Sequence, residues 1–212
     1  MPADYPDSSQ QPKIKQAANM KNDAPDAKDG DAKDGDSGER DSGRISKLSQ
    51  VELAELTATA FHEAGHAVMA LALGRPIQKV TIAPAQLQTG GGRLGVCKIQ
   101  KGRFKGSKDW LEDDVLILLA GMVAESHFTS RYCPRGAAQD LRAARRLLAN
   151  RASTERQLER LERRLIDKTE HMLGDEGRAK AIELIAQELL QRETISGRAV
   201  RHLFQQATQE AS

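Results

Sequence analysis

The stretch AFHEAGHAVMALALG, from Ala60 to Gly74, carries two histidines four residues apart with a glutamate beside the first. On an α-helix, residues four apart lie about 40° from each other and roughly 6 Å along the axis. His62 and His66 can therefore point their imidazole nitrogens at one shared ion, with Glu63 on the same side of the helix. The stretch predicts either one wall of a metal site or an ordinary helix that happens to carry these side chains.

The spacing is that of the H-E-x-x-H motif of zinc peptidases. Zinc fits two imidazoles and an oxygen ligand, and it keeps a fourth position open for a water whose pKa it lowers to ~7. Glu63 is awkwardly placed as a ligand, but it can take the proton of that water and deliver it to the leaving amine. The third ligand must come from a distant segment. Met69 and Ala72 stand where a metzincin needs glycine and histidine, and the next glutamate, Glu112, is too distant for a thermolysin-like pattern.

Gly65, between the two histidines, costs a helix about 1 kcal/mol relative to alanine. Close approach of a substrate or another backbone would compensate for this cost, and so would a tight crossing with a second helix. The sequence leaves both explanations open.

Charge and composition divide the chain of 212 residues into a polar tail and a folded body. Residues 1–43 hold ten of the 30 acidic and six of the 32 basic side chains, which leaves 20 and 26, a net +6, for the rest. Residues 1–44 are predicted to be a disordered tail, because they have too few apolar side chains to offset their ordering entropy. The tandem DAKDG repeat in this tail has lysines where a calcium loop needs oxygen ligands. The folded domain is predicted over residues 45–212.

The composition also argues against several classes of function. A mildly basic body with 3% aromatic residues has no stacking platform for bases. The longest apolar run, Ala67 to Leu73, is too short to cross a bilayer, and the N-terminus has no apolar signal sequence. The two cysteines, Cys97 and Cys133, fit a reducing compartment. These observations predict a soluble cytoplasmic protein with no nucleic acid partner and no membrane segment.

The predicted fold class is mainly α with one small β-sheet. Ser49 and Glu52 form a capping-box pattern that starts the first helix, and Gly74 with Pro76 ends it. Two strands are predicted on either side of a glycine-rich turn, at residues 77–83 and 94–99. Further helices are predicted over residues 109–128, 140–149, 154–172 and 175–192, and after a cap at Ser196.

Five blocks, in order, resemble the peptidase domain of the FtsH family of membrane-bound AAA+ zinc proteases: AFHEAGHAV, KVTIAP, LLAGMVAESHF, RGAAQDLRAARRLL and LLQRETISGRAVRHLF. The resemblance covers about residues 51–204. It implies a zincin-like helical metallopeptidase domain with a C-terminal helical bundle and one Zn²⁺ per chain. It also implies that His62 and His66 are zinc ligands, that Glu63 is catalytic, and that Asp140, which closes the block Gly-Ala-x-x-Asp, is the third ligand. The alternative for Asp140 is that it merely caps the helix that it begins.

The same resemblance assigns further residues near the metal. Glu125 falls on a glutamate of the family's AGxxAE helix, and we expect it to hold a histidine ring by its other nitrogen. It is also the best rival to Asp140 as third ligand. His127, two residues later, is expected to be structural. Cys133 could approach the metal as an inhibitory thiolate, although an ordinary thiol is favoured.

The block KVTIAP matches the strand beside the active site in the family. An edge strand at such a place binds a substrate by main-chain pairing, with loose preference for side chains. We therefore expect Thr81, Ile82 and Ala83 to bind substrate.

The resemblance implies a zinc metalloendopeptidase that cuts unfolded or flexible polypeptides. The family has an ATPase module and membrane helices in front of this domain, whereas this sequence has no such segments and no phosphate-binding G-x-x-x-x-G-K-[ST] motif. We therefore expect an enzyme without its own motor, or one that borrows a separate AAA+ ATPase. The family's ring assemblies suggest a homo-oligomer, a hexamer. The alternative function is a catalytically silent zinc protein acting as an adaptor or assembly partner, and the intact Glu63 argues against it.

Overall fold

The helix that carries the two histidines, α1 (Gln50–Ala72), is the central element of the fold. Its start is fixed by the predicted capping box, in which the Ser49 hydroxyl accepts the Glu52 backbone N–H and the Glu52 carboxylate accepts the Ser49 N–H. Just beyond its end, Gly74 has a left-handed φ of 73°, a conformation that glycine adopts without strain. The second half of the helix, from Ala60 to Ala70, is buried except at Phe61.

The computed structural model describes residues 49–83, 85–86, 92–93, 95–100, 108–130 and 137–211. The tail predicted over residues 1–44 lies outside these ranges, and so do Cys133 and Gly136. The strands after α1 are β1 (Ile77–Thr81), β2 (Ala85–Gln86), β3 (Gly92–Arg93) and β4 (Val96–Ile99). The elements that follow are α2 (Trp110–Thr129), α3 (Ala138–Leu148), a 3₁₀ turn (Ala149–Arg151), α4 (Glu155–Leu173), α5 (Glu176–Arg192), β5 (Thr194–Ser196) and α6 (Gly197–Glu210).

The main sheet has three antiparallel strands in the order β4-β1-β5, and β2 pairs with β3 in a separate two-stranded ladder. β1 is therefore an interior strand: Thr81 lies opposite Val96 on one side and Thr194 on the other. The Thr81 and Thr194 hydroxyls are 2.6 Å apart, and the Ile82 N–H donates to the Glu193 carbonyl at 2.8 Å. The prediction that Thr81 belongs to a free edge strand is wrong, because β5 already occupies the second side of β1.

Helix α1 packs against α2 on one side and α5 on another, and it also contacts β1 and β4. The crossing with α2 is close at Gly65, where a Cβ atom would lie 2.5 Å from the Ala120 carbonyl oxygen and 2.6 Å from the Ala124 Cβ. These distances are well inside van der Waals contact. Of the two explanations for Gly65, the structure therefore supports the tight helix crossing.

The mainly α fold class with a small sheet is confirmed, and the predicted helices lie within about two residues of the observed ones. β5 was not predicted: it has three residues, and its pairing partner is distant in the chain. None of the helices in the described part of the chain is both long and apolar enough to span a bilayer.

Candidate metal centre

The two histidines of α1 converge as the helical spacing predicts. Both rings are buried, with their centroids 4.7 Å apart and their planes nearly perpendicular. His66 donates from Nδ1 to the Ile117 carbonyl oxygen at 2.7 Å, and Nδ1 of His62 lies 3.1 Å from the Glu125 carboxylate. Since the Nδ1 atoms are engaged on α2, the Nε2 atoms of both rings are left to face a common ligand.

Asp140 completes the group from a segment more than seventy residues later in the chain. Its Oδ2 atom lies 3.1 Å from Nε2 of His62 and 3.5 Å from Nε2 of His66. Helix α3 begins at Ala138, two residues before the predicted start, so Asp140 is in the first turn rather than at the cap. The helix dipole favours a carboxylate there, but the side chain is directed to the histidines and does not cap the helix.

The charges at this site are mutually stabilised. Burial would lower the pKa of His62, but its hydrogen bonds to Asp140 and Glu125 and the nearby charge of Glu63 outweigh burial and raise the pKa to about 9. Burial would raise the pKa of Asp140, but its hydrogen bonds to His62 and His66 outweigh burial and hold the pKa well below its ordinary value. In the metal-free protein, a proton on His62 thus balances the Asp140 carboxylate at neutral pH.

The three side chains fit zinc in chemistry and in spacing. Ligand atoms of His62, His66 and Asp140 all lie within 4.8 Å of one another, and all three residues are buried. Zinc–ligand bonds of about 2.0–2.2 Å in a tetrahedral site place neighbouring donor atoms about 3.3–3.5 Å apart. The observed separations of 3.1 and 3.5 Å from Asp140 to the two nitrogens bracket that value closely. A three-donor set of this type leaves a fourth coordination position open.

Glu63 lies beside this donor set on α1 and is 4% exposed. Its side chain contacts the main chain just before β4: a Cβ atom at Gly95 would be 2.7 Å from both Cγ and Oε1 of Glu63. Only glycine leaves room for the carboxylate in this position. A buried carboxylate next to the metal ligands, but not among them, is placed as a proton acceptor should be.

The remaining predicted residues fall at different places. Glu125 meets Nδ1 of His62, the position expected of a group that orients the ring, and it is not in the three-residue donor group. His127, His171 and His202 are exposed and lie outside that group. Sequence reasoning missed two glycines: Gly121, at which any Cβ atom would strike both imidazoles, and Gly95. An isolated glycine inside a helical pattern was the available signal for Gly121.

The comparisons with known proteins agree with the geometry. A sequence model described as Peptidase family M41 matches residues 49–155. The chain is 31% identical to the ATP-dependent zinc metalloprotease FtsH of Acidimicrobium ferrooxidans over 72% of this chain and 28% of that protein. It is 38% identical to the FtsH of Magnetococcus marinus over 42% of this chain and 13% of that protein. It is 34% identical to the FtsH of Protochlamydia amoebophila over 46% of this chain and 10% of that protein. The match thus spans less than a third of the length of these relatives.

The names of these relatives specify zinc, and Oδ2 of Asp140 lies 3.1 and 3.5 Å from the Nε2 atoms of His62 and His66, close to the separation of donor atoms around zinc. Zn²⁺ is therefore the cofactor of this site. The family model covers half of the chain, including all three of these residues and Glu63. The chain belongs to peptidase family M41 and contains a peptidase domain of the FtsH type.

Proposed function

We propose that this protein is a zinc metalloendopeptidase that hydrolyses peptide bonds in unfolded or flexible polypeptides. The observation that carries the proposal is the convergence of His62, His66 and Asp140 with the Glu63 carboxylate buried beside them. A protein that only used zinc to hold its fold would close the coordination shell with a fourth side chain and would not need Glu63. This reasoning favours an enzyme over a catalytically silent adaptor.

Each side chain has a defined task in the proposed reaction. His62, His66 and Asp140 hold the metal, and Glu125 and the Ile117 carbonyl fix the orientation of the two rings. Zinc bound there supplies a nucleophilic water at neutral pH and a Lewis acid for the scissile carbonyl. Glu63 accepts the proton released by the attacking water and delivers it to the nitrogen of the leaving amine. Burial of all these groups strengthens their electrostatic interactions.

The strand next to Glu63 suggests how a substrate is held. β4 begins at Val96, directly after the Gly95 contact with Glu63, and among the described residues it pairs only with β1. We propose that an extended substrate adds to the outer edge of β4. Ile82 and Ala83 lie just after β1, the middle strand of the sheet, and their contact with substrate stays a prediction. Main-chain pairing would make the enzyme tolerant of substrate sequence. Peptides with N-methylated backbone amides should then show a raised KM, whereas side-chain changes should have small effects.

The supply of unfolded substrate is a separate question from the chemistry. The relatives are named ATP-dependent, but no part of the zinc site described above requires a nucleotide. We propose that unfolded casein is cleaved without ATP, and that folded substrates need a AAA+ ATPase acting with a homo-oligomer, which we expect to be a hexamer. Sedimentation of the purified protein tests whether it forms a hexamer. Casein cleavage measured with and without ATP tests whether cleavage is independent of ATP.

The central test uses Glu63→Gln, which keeps the size of the side chain and removes its basicity. Loss of a general base typically costs about 10²–10⁴-fold in rate, so casein cleavage should fall to that extent while the zinc content stays at one per chain. If the variant cleaves casein as fast as the wild type, the proposed enzyme mechanism is wrong. Copurification of a contaminating protease is checked with His66→Ala, which should lose both zinc and activity.

A further inference from the structure

One face of helix α2 lies against both imidazole rings. Ile117, Gly121 and Glu125 follow each other at intervals of four residues and therefore lie on the same side of the helix. The Ile117 carbonyl accepts the Nδ1 proton of His66 at 2.7 Å, and the Glu125 carboxylate lies 3.1 Å from Nδ1 of His62. Gly121 is midway between these two anchoring points.

Gly121 has no room for a side chain. A Cβ atom at this position would lie 2.6 Å from Nε2 of His62, 2.6 Å from Nε2 of His66 and 2.7 Å from Cδ2 of His62. These distances are about 1 Å shorter than a normal contact between non-bonded atoms. The rings cannot move away freely, because each is held by a hydrogen bond to α2 one turn to either side. A methyl group would thus displace the two nitrogen atoms that face Asp140.

We propose that Gly121 is a positioning residue of the metal centre: its missing side chain leaves the space in which the two Nε2 atoms can share one zinc ion. Helix stability alone would favour alanine here, since glycine is among the poorest helix formers. The proposal concerns zinc binding and not peptide hydrolysis. If the protein turns out to have no peptidase activity, the proposal for Gly121 is therefore unaffected. If Gly121 does not position the ligands, the proposed peptidase activity is unaffected.

Gly65, at the same helix crossing, provides a matched control. Its missing side chain makes room for backbone and Cβ atoms of α2, namely the Ala120 carbonyl and Ala124 Cβ, and not for the metal ligands. Alanine at Gly65 should therefore force the two helices apart and destabilise the protein with or without zinc. Alanine at Gly121 should act first on the metal site.

The experiment compares zinc affinity, by competition with a chromophoric chelator, and the Tm of the metal-free protein for wild type, Gly121→Ala and Gly65→Ala. Disturbing groups that orient metal ligands typically lowers metal affinity about 10–100-fold. We expect Gly121→Ala to bind zinc about 10–100-fold more weakly, with a metal-free Tm closer to wild type than that of Gly65→Ala. Zinc affinity within threefold of wild type for Gly121→Ala would overturn the proposal.

A second comparison decides the question if Gly121→Ala folds poorly. In a protein that already carries His62→Ala and His66→Ala, the rings that the methyl group would strike are gone. Adding Gly121→Ala to this background should leave Tm unchanged or raise it, because only the gain in helix propensity remains. A further fall in Tm would mean that Gly121 packs against something other than the imidazoles, and the proposal would be wrong.

Discussion

Alanine at Gly95 should separate catalysis from zinc binding. The new methyl carbon would lie 2.7 Å from Cγ and Oε1 of Glu63 and 2.9 Å from Cδ. A normal contact needs about 3.5 Å, so the carboxylate must move by roughly 0.8 Å. Misplacement of a reacting group by about 1 Å can cost ~100-fold in rate, which corresponds to about 2.7 kcal/mol in the activation barrier. The metal ligands are not among the nearest atoms to this methyl group.

The assay is steady-state cleavage of an unfolded fluorogenic protein together with zinc analysis of the same samples. We expect kcat of Gly95→Ala to fall about 100-fold, with KM changed little and one zinc retained per chain. Gly177→Ala is the matched control, since Gly177 lies on α5 and its nearest neighbours are at the C-terminal end of α6. Adding Gly95→Ala to Glu63→Gln should cause no further loss, because both changes act on the same proton transfer. An unchanged kcat with full zinc occupancy would refute the assigned role of Glu63, and so would an additive loss in the double variant.

The remaining predictions rest on charges and close contacts. Because the pKa of His62 is raised to about 9 in the metal-free protein, zinc uptake at pH 7 should release about one proton, and calorimetry in buffers of different ionisation heat measures it. The stability that this protonated ring gives the metal-free protein should be lost as pH rises through 9. Asp109→Ala removes a helix cap and the partner of Arg151 and should cost about 1–2 kcal/mol of unfolding free energy. The Arg151 guanidinium holds the pKa of Asp109 at about 2, so the difference from wild type in urea titrations should shrink as pH falls from about 4 to 2. Gly197→Ala would place a Cβ 1.9 Å from the Ile77 carbonyl oxygen. It should lower the free energy of unfolding, measured by urea titration, by more than a typical overpacking change of about 1–3 kcal/mol.

The parts of the site that follow from local spacing could be predicted from the sequence. The helical period alone brings His62 and His66 together, and the cap at Ser49 fixes where that helix begins. Asp140 could not be found from spacing, because it lies 74 positions after His66; its selection rests on the order of several sequence blocks. The sequence does not show which strands pair, because the paired residues are far apart in the chain. The expected free edge at Thr81 is therefore incorrect, since Thr194 pairs with Thr81.

The two glycines of the α1–α2 crossing show that the sequence cannot distinguish residues with different roles. Gly65 and Gly121 give the same signal in the sequence, a poor helix former in a helical pattern. Only the structure separates them, since one faces backbone and the other faces ligand nitrogens. A glycine that acts by leaving room for other atoms can be recognised only from the atoms around it, because it has no side chain of its own.

The pairing of β1 with β5 also affects how the protein is made. Thr81 and Thr194 are 113 residues apart, and four helices, α2 to α5, are synthesised between them. Until β5 is available, the nascent chain holds β1 with one row of backbone N–H and C=O groups unpaired, which is a template for another extended chain. Contacts between such distant segments form slowly. During its own synthesis this polypeptide is thus exposed to aggregation at the strand that the finished fold protects most completely.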